Sequence, residues 1–174
     1  MLPMALRLFL AALLSAWVGL AAAQAPQAFA KPPLQSDVPK PGPKDLCPVC
    51  GMLVAKYPHW VATIVYKDGH AHHFDGAKDM FKFWFDPPKY ATGHSRAQMA
   101  RIVVTDYYNL QPIDAKTALF VTGSDVLGPM GHELVPLASV ADAEDYLKEH
   151  KGKRILRFDE VTRDLPLQLD AGKF

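Results

Sequence analysis

Cysteine is almost absent from this chain: the 174 residues hold two, Cys47 and Cys50. With no second pair, a four-cysteine zinc ribbon is impossible. Gly51, not histidine, follows Cys50, so c-type haem attachment is excluded as well. The chain has no basic block and no basic patch interleaved with aromatics. Lys and Arg (19) barely outnumber Asp and Glu (18), which argues against nucleic acid as a partner. No Ser-His-Asp order, phosphate loop or clear pair of catalytic carboxylates stands out. The apolar stretch Leu8 to Leu20 is shorter than the roughly 20 residues that a membrane-spanning helix needs.

That stretch reads instead as the centre of a secretory leader. Met1 to Arg7 precede it, and Ala21-Ala22-Ala23 offers a small-residue cleavage site, so residues 1–23 are expected to be removed. No cysteine stands at the cut, so no acceptor for a lipid anchor is expected. Loss of Arg7 with the leader takes the formal charge from +1 to about zero. Export places the chain where disulfides can persist, so thiols kept there for metal binding need protection. Residues 24–44 carry Pro26, Pro32, Pro33, Pro39, Pro41 and Pro43, a composition that favours extended backbone and cannot hold a core. They are expected to be a linker. Residues 45–163 are long enough for one domain, and residues 164–174 form a tail to which no element is assigned.

Within the domain the pattern is α+β. Trp60 to Tyr66 is rich in β-formers, Asp68-Gly69 signals a hairpin, and His70 to Phe74 is the return strand. Asp75 is placed to cap a helix from Gly76 to Phe85, whose buried stripe is Met80, Phe81, Phe83, Trp84 and Phe85. Pro87-Pro88 stops it, and Ala100 to Thr105 reads as a buried strand. The order then recurs. Thr117 to Thr122 is a strand, and Glu133 to Leu137 returns after a glycine- and proline-rich loop. Ser139 caps a helix from Val140 to His150 that has Gly152 as its C-cap, and Lys153 to Phe158 closes the pattern. Two strand-strand-helix-strand units are therefore expected, alike in element order and not in sequence.

The chemistry-bearing residues centre on Cys47-Pro48-Val49-Cys50-Gly51-Met52. Two thiols and a thioether are soft ligands, which select copper(I) over magnesium, calcium or manganese. Three readings of this hexapeptide stand. It is a soft-metal site, a redox dithiol, or a disulfide that staples the start of the domain; a zinc site completed by histidines is a variant of the first. The redox reading wants the pair at the start of a helix. Here a proline-rich stretch precedes the pair, and Gly51 interrupts any helix directly after it. Met130 lies in Gly128-Pro129-Met130-Gly131-His132, a tight loop on which a large apolar side chain either fills a gap or faces a metal. His132 offers a nitrogen ligand or is simply exposed. Strand alternation puts His70 and His72 on one face and His73 on the other, a geometry open to a divalent metal or to a half-exposed polar strand. Met80 and Met99 read as packing, and Asp75, Asp106 and Asp114 as turn and capping residues.

Several motifs resemble those of one family. They are Cys47 to Met52, Phe74-Asp75-Gly76, Val104-Thr105-Asp106-Tyr107, Gly123 to Gly131, Asp142-Ala143-Glu144 and Phe158-Asp159-Glu160. Together they span about Asp45 to Val161 and look like NosL, the accessory protein of nitrous-oxide reductase. The pairing of Cys-x-x-Cys-Gly-Met with Gly-Pro-Met-Gly carries the likeness. The resemblance implies a periplasmic copper(I) chaperone, not an enzyme, that delivers copper for the copper centres of nitrous-oxide reductase. It implies as partners that reductase and a membrane complex of an ABC transporter with a periplasmic β-helical protein. It implies a fold of two strand-strand-helix-strand units related to organomercurial lyase. Carried over by motif, the copper ligands are Cys47, Cys50, Met52 and Met130. Many members of the family are lipoproteins, from which this chain departs. The alternatives are a periplasmic thiol–disulfide oxidoreductase using Cys47 and Cys50, and a copper chaperone for another cuproenzyme. A homodimer around the metal stays open.

Overall fold

The structure, a computed structural model, describes residues 38–174. The expected leader (1–23) and most of the expected linker (24–44) lie outside the described residues. Among those described, no helix is long and apolar enough to cross a membrane.

The first unit is β1 (Ala62–Tyr66), β2 (Ala71–Phe74), α1 (Ala77–Phe85), a short helix α2 (Pro87–Tyr90) and β3 (Met99–Thr105). The antiparallel sheet runs β2-β1-β3-β4, with β4 spanning Pro112–Asp114. Ile64 of β1 faces His72 on one side and Ile102 on the other. The second unit is β5 (Leu119–Thr122), β6 (Val135–Leu137), α3 (Val140–Glu149) and β7 (Arg154–Arg157), in a sheet ordered β6-β5-β7. In both sheets the first strand of the unit sits between the second and the third, so the repeat of strand-strand-helix-strand is real. A fourth helix, α4 (Leu165–Asp170), comes after β7.

Alternation along β5 gives the second sheet two buried faces. Phe120 points into the main core, where its ring meets Phe81 of α1 edge-on at 5.1 Å. Val121 points the other way, towards Tyr146 of α3. On the first sheet Phe74 meets Phe83 of α1 at 5.3 Å. Helix α1 therefore contributes aromatics to both sheets, and its N-terminus is where elements from the two units come together.

Several local expectations need correction. Asp75 does not cap α1. The N-cap is Gly76, which has no side chain to give, and the carboxylate that caps the helix comes from Glu133, whose Oε1 accepts from the Lys78 and Leu134 backbone N–H groups. Glu133 belongs to the approach to β6, which begins only at Val135. Pro87 ends α1 but also sits at the first position of α2, where its missing N–H costs nothing. Ser139 does cap α3, accepting from the Asp142 N–H at 3.1 Å. At the other end of α3 the left-handed residue is Lys151 (φ 55°), not Gly152. The Gly152 N–H bonds the Leu147 carbonyl at 2.8 Å, closing a Schellman turn. Glycine is needed at 152 for space: a Cβ there would meet Val121 Cγ1 at 2.7 Å. Strand β4 and helix α4 had no counterpart among the expected elements.

Candidate metal centre

Cys47 and Cys50 lie in a tight turn. The Cys47 N–H bonds the Met52 carbonyl at 2.9 Å, and the Gly51 N–H bonds the Cys47 carbonyl at 2.9 Å. A single bridge between Leu46 and Leu53 closes its base. Gly51 takes φ +78°, which a residue with a Cβ adopts only at a cost, so glycine after the second cysteine is what lets the chain reverse. The turn runs on into a short 3-10 segment, Val54–Lys56. The cysteines therefore do not start an α-helix.

The two thiols are unlinked. Each finds a carboxylate at the beginning of α1. Cys50 Sγ donates to Asp75 Oδ1 at 3.1 Å, and Cys47 Sγ reaches Asp79 Oδ2 at 3.6 Å. The four ligand atoms all lie within 4.8 Å of one another, close enough to surround one ion. Asp75 and Asp79 are both buried. Asp75 Oδ2 is buried without a hydrogen-bond partner, while Asp79 Oδ1 pairs with Lys82 Nζ at 2.9 Å. Burial pushes the Cys47 thiol from 9.0 up to about 12, with the Asp79 charge adding to the shift against opposing backbone N–H groups. Cys50 is also pushed up, by burial first and by its hydrogen bond to Asp75. Both cysteines are therefore thiols when no metal is present.

Met52 comes next in the turn and is half-buried. Met130 is 42% exposed, on a loop pinned to the same helix end. The Met130 carbonyl accepts from Lys78 Nζ at 2.7 Å, and Lys78 is fully buried and pairs with Asp170 of α4 at 2.9 Å. A bridge between Gly128 and Gly131 closes the loop. Glu133 fastens the loop's far side to α1, and a Cβ at Gly76 would overlap Glu133 Oε2. Gly76 is therefore required for the carboxylate to approach. Burial raises the Glu133 pKa to about 8, against the Leu134 N–H and the Lys78 charge. Thus the hexapeptide and the Met130 loop, 78 positions apart from Met52 to Met130, both attach to the first turn of α1. His132 is not one of the four clustered groups; its ring lies 5.0 Å from that of Phe174 and its Nδ1 is buried without a hydrogen-bond partner.

Sequence reasoning missed Asp75 and Asp79 as neighbours of the thiols. Asp79 lies in the first turn of α1 and Asp75 just before its N-cap, but nothing local ties them to Cys47 and Cys50. A second cluster stands elsewhere. His70, His72 and His94 bring their ring nitrogens within 4.8 Å of one another. His73 takes the opposite face of β2, with Nδ1 2.9 Å from Thr63 Oγ1, as alternation requires. Burial, with His70, His94 and His73 adding to it, pushes His72 down to about 4.

Comparison with known proteins gives one consistent result. The NosL family model matches residues 38–166. The copper-binding lipoprotein NosL of Stutzerimonas stutzeri is 31% identical over 129 residues, which take in 70% of this chain and 64% of that relative. The chain thus spans less than two thirds of that relative's length. Among solved structures, the crystal structure of the copper chaperone NosL from Shewanella denitrificans superposes with a TM-score of 0.61 at 28% identity, covering 72% of this chain and 96% of that one. The names of these relatives describe copper binding and chaperoning, and none names an enzyme.

Proposed function

The chain belongs to the NosL family, and from that premise we propose that it is a copper(I) carrier of the periplasm that supplies the copper centres of nitrous-oxide reductase. The observation that carries this reading is the meeting, at one end of α1, of two unlinked thiols and the loop that bears Met130. The proposed ligands are Cys47, Cys50, Met52 and Met130. Copper(I) favours soft sulfur donors, so hard carboxylate oxygens are poor candidates for its shell. Asp75 and Asp79 are assigned a different task. They accept the thiol protons' hydrogen bonds in the metal-free state and hold the two sulfurs facing one site. Each thiol that binds copper as a thiolate releases one proton. The exposed Met130 leaves one side of the site open to an incoming ligand from an acceptor, so that copper passes by ligand exchange.

The rival oxidoreductase is disfavoured on physical grounds. A nucleophilic cysteine needs a lowered pKa, commonly from a helix N-terminus or a nearby cation. Here the turn precedes no α-helix, and burial together with two carboxylates moves both thiols upward.

The test is copper(I) titration against a competing chelator, comparing the parent chain with Cys50→Ser and Met130→Leu. Weaker binding in both is expected. Unchanged affinity in both would remove the assigned site. Delivery is tested separately: purified nitrous-oxide reductase from cells lacking this protein should be copper-poor, and full copper loading there would turn the proposal to another acceptor. The membrane complex of an ABC transporter and a β-helical protein is the proposed partner, and co-purification with it is the corresponding check.

A further inference from the structure

The three-histidine cluster belongs to a different part of the molecule from the thiols. His70 directly precedes β2, His72 is its second residue, and Asp75 lies just past its end. At about 3.3 Å per residue that is a separation of roughly 10–16 Å along the strand. His94 comes from the loop after α2.

Three features mark the cluster as more than a polar strand face. The ring centroids are 4.7 Å (His70–His72), 4.7 Å (His70–His94) and 5.7 Å (His72–His94) apart. Three imidazoles held by nitrogen at about 2.0–2.1 Å from one tetrahedral ion have centroids roughly 5 Å apart. Next, His72 Nε2 is buried with no hydrogen-bond partner, although a buried imidazole nitrogen ordinarily finds one. Finally, the cluster has supports of its own. Asp68 Oδ2 stands 3.7 Å from His94 Nε2, and Asp68 Oδ1 accepts from the His70 backbone N–H at 3.0 Å. A carboxylate behind a histidine is the arrangement that orients metal-binding imidazoles. The Tyr66 ring lies against all three, nearest to His94 at 4.3 Å. Beside the histidines is a concavity walled by Pro88, Tyr90 and Thr92, and Lys89 there lies over the Tyr90 ring at 5.0 Å.

We infer that His70, His72 and His94 form a second metal site, for a divalent ion of borderline softness, distinct from the thiol site. Imidazole suits zinc, copper(II) and nickel, and among divalent first-row ions copper(II) binds a given nitrogen site most tightly. His70 and His94 stack almost parallel, at 14°. The exposed His70 ring must therefore turn about its side chain to aim its nitrogen at the ion. His72 and His94, held by burial and by Asp68, fix the place to which it turns. Exposure of His70 leaves room for water or an exchanging ligand at the fourth position.

The test uses the full chain with Cys47→Ser and Cys50→Ser, so that no thiol binds or reduces the added metal. Copper(II) is titrated in as the sulfate, binding is read by calorimetry, and nitrogen couplings are read by electron paramagnetic resonance. One equivalent with imidazole couplings is expected, displaced only by a large excess of zinc(II). Adding His94→Gln or His70→Gln should each weaken binding at least tenfold and remove one nitrogen from the spectrum. Asp68→Asn should weaken it about tenfold through the lost orientation of His94. Neither histidine is in the hydrophobic core, and thermal melts of the metal-free variants should match the parent. Copper(II) affinity unchanged by both histidine substitutions, or no binding at all, would overturn the site. Copper(I) titration of His94→Gln with both thiols intact should match the parent, so failure of this proposal and failure of the copper(I) carrier are told apart.

Discussion

Substituting Gly76 by alanine should disable the candidate centre without touching any proposed ligand. Its backbone is extended (φ −173°, ψ 160°), so alanine meets no torsional objection. The objection is steric, because the new methyl would occupy the place of Glu133 Oε2. Glu133 is fully buried and cannot move aside into solvent without giving up the Lys78 and Leu134 N–H groups. Each orphaned buried N–H costs about 1–3 kcal/mol. Against that, alanine reduces unfolded-chain entropy by about 0.4–1 kcal/mol. With two N–H groups orphaned, the net destabilisation is therefore about 1–6 kcal/mol. Glu133 also fastens the Met130 loop to α1, so a weaker copper(I) affinity is expected in the fraction that stays folded. Urea denaturation and chelator competition measure the two effects. The control is Gly69→Ala, in a hairpin turn where a Cβ meets nothing within 4 Å but φ is +88°; the strain should lower stability while leaving copper(I) affinity alone. A Gly76→Ala protein as stable as the parent, to within about half a kcal/mol, would refute the claim that Glu133 needs this space.

Two further outcomes concern the titrating groups. Glu133 carries a pKa raised from 4.5 to about 8. The folded state therefore binds more protons than the unfolded one between those values, and the stability of the metal-free protein should fall as pH rises from 4.5 towards 8, by at most roughly 1.4 kcal/mol per pH unit. Glu133→Gln should flatten that slope in urea midpoints recorded across the range, and an unchanged slope would assign the dependence elsewhere. Copper(I) binding should show the opposite dependence, because protons leave as thiolates form. If both cysteines bind, the apparent affinity gains about a hundredfold per pH unit between pH 6 and 8, and about tenfold if one binds. Chelator titrations at three pH values separate these cases, and no pH dependence would exclude thiolate ligation.

What the sequence made legible was local. The Asp68-Gly69 hairpin, the Ser139 cap and the alternation on β2 each depend on residues a few positions apart, and each is where it was expected. The two-unit order rests on them. What escaped depends on partners far along the chain. Asp75 looks like a cap, being a short acid before an apolar helix, yet the cap is Glu133 from 55 positions away, which frees Asp75 to face Cys50. Gly76 then reads as a consequence: the residue that most helices would use as a cap here has no side chain because another one arrives. Gly152 misled for a related reason, since its need for space comes from Val121 on a neighbouring strand and not from its own φ. Helix α4 was hidden because it is only six residues long and runs into a polar end, and packing of Leu165 and Leu169 in the core is what gives so short a helix a reason to form.

That short helix turns out to join the two halves of the candidate site. From Cys47 the contacts run to Asp79 (3.6 Å), from Asp79 to Lys82 (2.9 Å), from Lys82 to Asp170 (2.7 Å), from Asp170 to Lys78 (2.9 Å) and from Lys78 to the Met130 carbonyl (2.7 Å). Two lysines on one face of α1 are held by one carboxylate on α4, so the thiol side and the methionine side are joined through Asp170. The arrangement resolves a conflict in the chemistry. Soft, weakly polar ligands cannot organise themselves, because thioethers accept no strong hydrogen bond and buried thiols make weak ones. Order has to come from the groups around them, and here charge-assisted contacts reach Cys47 through Asp79 and the Met130 backbone through Lys78. Fully buried, Lys78 would be costly without two acceptors, and it has both. Charged supports under soft ligands suit the proposed carrier site, which must keep its shape while its metal comes and goes.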